Sequence, residues 1–441
     1  MPDLTRAEIE RVAEDMYIYG YPLVLMDVIK ERQTATPYSA RQGAPVNQFA
    51  HGRFLPAPHD KSVIHPNADC LTSFAWLDVR REPVVLSIPW TDRYYLLSFF
   101  SGWYEIFETH SPRNDGGRGA HLGFVTPHWP GNLPAGVKPI VAPTETIWIH
   151  AWFEASGREN IDVVHGVQDD FCLIPLSEWS GSTQHAPPIR SDVDQKGTPQ
   201  EQVENFDARC FSTRLSALME RNPPQECDSD IVAEIERVGF FLCDDFVFEM
   251  LPAETRHAME AAVAAAQARI ANADKNPLHG KQVNGWTLHI HPGRYYKNYL
   301  DRAADARSGV VAARADDVLC FHTGTDENGE LLKGSNRYLM NFAWDLAPPV
   351  NAFWSITLYD ARQHLVPNSM LRNVIGDRDR LRVNPDYSLS IHIQHDWPGP
   401  AKDSNWLPAP KEAFSLALKM YWPKPDALTG NWRPPAVMRM K

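Results

Sequence analysis

Six cysteines in 441 residues form no C-x-x-C pair and no zinc-type spacing. They read as reduced, mostly buried thiols, which excludes a disulfide-stapled fold and makes the cytoplasm the expected compartment. No apolar run reaches about 18 residues, so no membrane span is expected. The opening MPDLTRAEIERVAEDM is charged and amphipathic, without the apolar core of a secretory leader. Basic charge is in deficit, with 43 Lys and Arg against 55 Asp and Glu and a net charge of -12. No basic patch that would neutralise phosphates is present, so nucleic acid is not an expected partner. P-loop, G-x-G-x-x-G, G-x-S-x-G, H-E-x-x-H and C-x-x-C-H motifs are all missing. Nucleoside-triphosphate, nicotinamide, serine-hydrolase, zincin and c-type haem chemistry therefore have no sequence support. A b-type haem needs a single His, Cys or Tyr ligand and leaves no such trace.

Proline and tryptophan are plentiful, with 36 and 14 residues. Prolines at the ends of apolar runs mark a strand-rich chain. The tryptophans require a large aromatic core or an aromatic pocket. The length suggests two or three domains and a core that needs no metal or disulfide. Thr5-x-x-Glu8 is a capping box that opens a helix, with Ile9, Val12, Ala13 and Met16 as its apolar stripe and an end near Gly20. From 62 to 180, short β-branched or aromatic runs such as SFAWLDV, PVVLSIPW and ETIWIHAWF recur at roughly ten-residue spacing. Residues 205–222 and 229–250 have helical period, and EAAVAAAQARIANADK is a strong helix former. A second β-rich stretch starts at GWTLHIHPG. The expected fold class is α+β, mainly β. It comprises an N-terminal helix (1–30), a jelly-roll-like β-sandwich module (31–181), a linker (182–204), a helical segment (205–278) and a second jelly-roll-like β-sandwich module (279–441).

The last fifth of the chain alternates with period two, the pattern of half-buried strands. In NAFWSITLYD one face carries Ala352, Trp354, Ile356 and Leu358, and the other carries Asn351, Phe353, Ser355, Thr357 and Tyr359. In SLSIHIQHD, His392, Gln394 and Asp396 share one side. In AFSLALKMYW, Phe414, Leu416, Leu418, Met420 and Trp422 alternate with Ser415, Ala417, Lys419 and Tyr421.

The ordered pieces APPVNAFWSITLYD, HLVPNSM, IGDRDRL, IHIQHDWPG, NWLPAP and YWPKPDAL resemble the C-terminal module of a bacterial family of two paired domains of unknown function, numbered 1254 and 1214. YIYGYPLVLMD, HPNADCLTSFAWLDV, EPVVLSIPWTDRYY, PHWPGNLPAGV and VVHGVQDDFCLIPLSEW resemble its N-terminal module. Some members look like oxygenases that attack alkenyl side chains of aromatic compounds, although fold does not fix activity. The chain departs from the family pattern N-P-N-x-D-T-x-Y-S at Cys70 and Thr72. It departs from W-I-x-G-R at Trp152, where relatives carry Arg. An apolar wall in place of that Arg implies a neutral, hydrophobic ligand.

Several groups of residues are candidates for chemistry, each with a structural alternative. His392 and Asp396 on one side of IHIQHD suit a general-base pair or a metal; alternatively His395-Asp396 finishes the strand and fixes the Pro-Gly turn. His289 and His291 in LHIHPG share a strand face, as the first half of a non-haem metal site does, but no Glu follows at cupin spacing. Trp148, His150 and Trp152 share a face that is either core or aromatic pocket. Asn67 and Asp69, after His65, form a pocket rim or a pair of Asx turns. Arg93, Tyr94, Tyr95, Trp103 and Tyr104 pack a core or wall a flat ring.

The resulting expectation is an enzyme acting on a small hydrophobic, aromatic molecule. An oxygenase is favoured, with iron or haem b held by ligands drawn from His150, His165, His289, His291 and His392. The catalytic candidates are His392, Asp396 and His150. The substrate-binding candidates are Asn67, Asp69, Trp103, Trp148, Trp152 and Phe353, and the metal candidates are His289 and His291. The alternatives are a metal-free hydrolase or lyase built on His392 and Asp396, and a non-catalytic ligand-binding or assembly protein. The acidic, β-rich surface permits a homo-oligomer.

Overall fold

Helix α1 (Arg6–Thr34) opens on a reciprocal cap, in which the Thr5 side chain accepts from the Glu8 N–H and the Glu8 carboxylate accepts from the Thr5 N–H. The helix does not end near Gly20; it continues through Pro22 to Thr34. Gly20 is there for close approach, since a Cβ would stand 2.5 Å from Leu215 Cδ2. Burial on nearly every side from Met16 to Met26 explains why propensity does not set the boundary: neighbouring helices enclose this stretch. The computed structural model describes residues 4–35, 43–61, 64–155, 161–179, 193–240, 246–274, 280–289, 293–309, 311 and 313–441.

The first β-rich module supplies β1 (Phe49–His51), β2 (Cys70–Asp78), β3 (Val84–Ile88), β4 (Tyr95–Ser101), β5 (Ile106–His110), β6 (Ala120–Val125), β7 (Val137–Val141), β8 (Thr146–Glu154) and β9 (Cys172–Pro175). They form the sheets β1-β2-β8-β4-β5 and β7-β6-β3-β9. Leu71, Leu77, Leu86, Phe99, Phe124 and Ile149 fill the core of this module. Helices α2 (Pro112–Asp115) and α3 (Ile161–Asp170) decorate it.

A helical layer follows, made of α4 (Pro199–Glu204), α5 (Ala208–Arg221), α6 (Ser229–Arg237), α7 (Ala253–Asp274) and α8 (Tyr299–Ser308), with α1 packed among them. The stretch read as linker thus ends in a short helix, capped by Thr198 and Glu201. The period read over 229–250 covers α6, which stops where Gly239 takes φ +92, and a separate turn at Phe248–Met250.

The second module supplies β10 (Gly280–Val283), β11 (Trp286–His289), β12 (Val318–Thr323), β13 (Arg337–Phe342), β14 (Val350–Asp360), β15 (Val374–Gly376), β16 (Leu389–Gln394), β17 (Trp406–Pro408), β18 (Phe414–Pro423) and β19 (Met438–Met440), with α9 (Pro425–Thr429) after β18. Its sheets are β10-β11-β12-β18-β14-β15 and β17-β16-β13-β19. Trp354, Ile356, Leu358, Leu416, Leu418 and Met420 face the core between them. The protein is therefore α+β and mainly β, with an N-terminal helix and a helical segment between two sheet-rich parts. No helix among the described residues is long and apolar enough to cross a membrane.

Candidate functional site at the seam between the modules

Alternation gives each central sheet two faces, and the face turned away from its own core builds the site. In the first module that face carries Cys70 and Thr72 from β2, Leu96 from β4, and Trp148, His150, Trp152 and Glu154 from β8. One end of it, with Trp76, Phe100 and Trp148, packs against the helical layer. The other end, with Cys70, Leu96 and Trp152, meets Phe353 and Tyr421 of the second module. The opposing face of the second module carries Cys320 and His322 from β12, Ala417, Lys419 and Tyr421 from β18, and Phe353, Ser355, Thr357 and Tyr359 from β14.

The polar residues along this seam form two linked groups. Asp69 is fully buried. Its Oδ1 accepts from Arg378 Nη2 at 2.7 Å, and its Oδ2 accepts from Ser355 Oγ at 2.8 Å and Tyr421 Oη at 3.1 Å. Arg378 also donates to Glu154 Oε1 at 3.1 Å, and Glu154 Oε2 accepts from Arg93 at 3.3 Å. The Arg378 guanidinium lies 3.9 Å from the centroid of the Phe353 ring. Asn67 donates to Tyr421 Oη at 3.3 Å, while its own oxygen accepts the Asp69 N–H at 2.9 Å. Burial works against the Arg378 cation, but Asp69 and Glu154 more than reverse it and hold its pKa above the ordinary value. Tyr421 is pushed well up by burial and by Asp69.

In the second group, Lys419 Nζ donates to Tyr359 Oη at 3.3 Å and Tyr359 donates to the Pro66 carbonyl at 3.0 Å. Cys320 Sγ lies 3.0 Å from His322 Nε2. The His65 ring sits edge-on to His322 at 5.1 Å and to Tyr359 at 5.3 Å. Burial opposes the Lys419 cation, yet Tyr359 and Asp69 hold it above the ordinary lysine value. Burial raises the Tyr359 phenol, partly offset by Lys419. Burial also pushes Cys320 up to about 11 against the pull of Lys419. Beside the seam, Asp377 accepts the Trp354 N–H at 3.2 Å, and burial raises its pKa to about 6. At neutral pH the second group thus presents an ammonium and a neutral phenol, both donors, next to two imidazoles.

An open cleft of about 170 Å³ adjoins the seam. Phe54, Pro56, Pro66, Asn67, Cys70 and Thr72 are among its lining residues. Pro66 and Asn67 therefore touch the cleft on one side and Tyr359 and Tyr421 on the other. Thr72 stands directly across from Trp152 on β8.

Of the substrate-binding candidates, Asn67, Asp69, Trp152 and Phe353 come together here. Trp148 stacks on Trp76 and tilts against Phe100 toward the helical layer. Trp103 is fully buried in that layer and donates to the Asn222 carbonyl at 3.0 Å. His150 lies between Trp148 and Trp152, where burial depresses it to about 3 and keeps it neutral. His165 donates to the Arg53 carbonyl at 2.8 Å. His392 is half-buried on β16, in the other sheet of its module, where burial and then Lys402 lower its pKa. Asp396 is exposed and its main-chain oxygen accepts from Gln394 at 2.7 Å, while His395 donates to the Ala409 carbonyl at 3.0 Å. His289 closes β11 opposite Cys320; its side chain and His291 lie outside the described residues. Among the described residues no three His, Cys, Asp or Glu side chains gather as a metal site would require. Arg378, Lys419, Tyr359, Cys320 and His322 were not singled out from the sequence. Two signals pointed to them: the polar side of each alternating strand, and the G-D-R turn at Gly376, Asp377 and Arg378.

Residues 46–175 match the family model described as protein of unknown function DUF1254, and residues 317–425 match that of DUF1214. No curated protein matches the chain. The VPA0106 protein from Vibrio parahaemolyticus is similar over 98% of this chain and 100% of its own, with 22% identity and a TM-score of 0.71. That likeness is one of fold. An uncharacterised protein from Burkholderia cenocepacia aligns over 99% of this chain and 95% of its own, with 12% identity and a TM-score of 0.44.

Proposed function

We propose, for a chain that belongs to the family of paired DUF1254 and DUF1214 domains, an enzyme that transfers protons to and from a small, neutral, largely apolar molecule at the seam between its modules. The observation that carries this reading is the buried Lys419–Tyr359 pair, set one residue from an open cleft and beside His65 and His322. Groups with displaced pKa values concentrate at catalytic sites, and here Lys419, Tyr359, Tyr421, Cys320 and Asp377 all lie at or beside the seam. His65 and Trp422 hold left-handed backbone, with φ +49 and +51. Such strain at non-glycine residues collects where a site demands a fixed geometry.

The cleft matches the size of ligand in question, since an apolar cavity on the order of 150 Å³ accepts benzene. Against the family motifs that the sequence resembles, N-P-N-x-D-T-x-Y-S and W-I-x-G-R, Thr72 replaces a phenol and Trp152 a guanidinium, which favours an uncharged ring over an anion. In the proposed step Tyr359 is the general acid. Its O–H points at the Pro66 carbonyl until a substrate oxygen replaces that acceptor, and the Lys419 ammonium stabilises the phenolate oxygen as the proton leaves and negative charge builds on it. His65 or His322 is the base. The class is a lyase or hydrolase reaction that needs no metal. An oxygenase would use the same cleft, but the described residues assemble no three-ligand set for iron, so no step is routed through one.

The test is turnover of neutral aromatics bearing alkenyl or carbonyl side chains, followed with and without O₂, together with a visible spectrum and metal analysis. Anaerobic product formation that falls about 10²-fold or more in Tyr359→Phe supports the reading. Strict dependence on O₂ with a haem or iron signal replaces it with the oxygenase. Turnover that Tyr359→Phe leaves intact removes Tyr359 from the chemistry.

A further inference from the structure

Two polar groups on the seam-facing side of the second module are less well paired than their burial demands. Thr357 is fully buried, and its Oγ1 has no hydrogen-bond partner among the described residues. Lys419 is 9% exposed, and its ammonium makes one hydrogen bond among them, to Tyr359. An ammonium has three N–H donors, so two remain. Their neighbours on the same face are satisfied: Ser355 and Tyr421 donate to Asp69, and Tyr359 donates to the Pro66 carbonyl. The shortfall is therefore local to Lys419 and Thr357.

Strand register puts the two together. Lys419 lies opposite Ser355 across the β14–β18 pair, and Thr357 and then Tyr359 follow Ser355 on the same face. Lys419, bonded to Tyr359 Oη, therefore lies on the face that carries Thr357. The unused donors and the unused hydroxyl thus occupy one patch. A buried donor without an acceptor is costly, and native proteins pair such groups with ordered water or a ligand, or keep them for function.

We infer that Lys419, Thr357 and Tyr359 form a binding site for a single ligand oxygen that carries or develops negative charge, as in a phenolate or the enolate of a carbonyl compound. Two Lys419 N–H donors, on a cation, and the Thr357 hydroxyl are without a hydrogen bond among the described residues, and the Tyr359 hydroxyl joins them when it leaves the Pro66 carbonyl. Donors fixed in advance around a developing oxyanion stabilise it without reorganisation. The inference deepens the proposed function by naming what the donors hold, a carbonyl-bearing molecule that is neutral at rest and anionic on the reaction path.

The test uses the whole protein and 4-nitrophenol, whose ionised form absorbs visible light. Binding should lower the ionisation midpoint of the bound phenol by about one pH unit or more, a tenfold preference for the anion. Thr357→Val keeps the shape and removes an unpaired hydroxyl, so its thermal stability should match or exceed that of the wild type while 4-nitrophenolate binding weakens about three- to tenfold. Lys419→Met should abolish the midpoint shift. The inference is overturned if 4-nitrophenol does not bind, if it binds without preference for the anion, if Thr357→Val binds it as the wild type does, or if Thr357→Val unfolds and so reveals a structural role for the hydroxyl. A protein that turns nothing over yet ionises bound 4-nitrophenol sinks the enzymatic reading and leaves this one standing.

Discussion

His150 and His51 are two buried imidazoles that make this protein acid-sensitive. Burial depresses His150 to about 3; burial and the nearby Arg53 depress His51 to about 4. His51 Nδ1 lies 2.8 Å from Ser73 Oγ, which also accepts from Gln168. Neutral His51 accepts the Ser73 proton, and a protonated ring would force that hydroxyl to turn away and place a charge in a buried site. In the unfolded chain both imidazoles take up a proton near pH 6.5, whereas in the folded chain neither does until far lower pH. The unfolded state therefore binds more protons in this window, and stability is complete above pH 6.5 and falls with pH below it. Between pH 7 and 5 the loss should be about 2 kcal/mol per imidazole by denaturant titration. His150→Phe should show roughly half the drop; a wild type equally stable at both pH values would contradict the assignment. At this scale the sequence left Asn67 and Asp69 between a pocket rim and Asx turns; Asn67 lines the cleft and also accepts the Asp69 N–H, while Asp69 lies buried in the seam. The G-D-R turn marked Arg378 but not its partner Asp69, because an ion pair spanning 309 residues leaves no local pattern.

Strands were more legible than helix ends. The alternation of NAFWSITLYD and AFSLALKMYW sorted the side chains of β14 and β18 into two faces, because side-chain direction in a strand follows residue parity; Trp422, grouped with Leu416, Leu418 and Met420, instead packs with Phe353 and Tyr421, its backbone left-handed. The end of α1 was not legible, since Gly20 and Pro22 stop an isolated helix but not one enclosed by others. The short strand β15 ties an element to the site. A Cβ at Gly376 would lie 2.2 Å from the Trp354 carbonyl oxygen on β14, two residues before Arg378. Gly376→Ala must push β15 off the sheet and carry Arg378 from Asp69. The expected result is a loss of about 3 kcal/mol or more in denaturant unfolding. A loss within about 0.5 kcal/mol, the range of ordinary surface changes, would show that the turn adapts and that Arg378 is not held by it.

For the whole molecule, the seam is what makes two modules one unit. Besides Asp69–Arg378 it holds Arg113 against Asp317 at 2.9 Å, with Asp317 1% exposed. Calorimetry should show one cooperative transition for the wild type. Joint replacement Asp69→Ala and Arg378→Ala removes both charges without stranding either, so any separation of the transition into two reports lost coupling between the modules. A double variant that still unfolds in one step at the wild-type temperature would place the coupling elsewhere. Sequence alone determined the class, two β-rich modules with helices before and between them, because period, capping and turn residues are local quantities. It also sorted the residues of β8, β14, β16 and most of β18 by face. Only the tertiary structure decided that these faces oppose each other, so that Asn67, Asp69 and Glu154 meet Tyr421, Ser355, Lys419 and Arg378. The physical reason is that the charges balance across the two modules, and the pairing exists only once both have folded and docked.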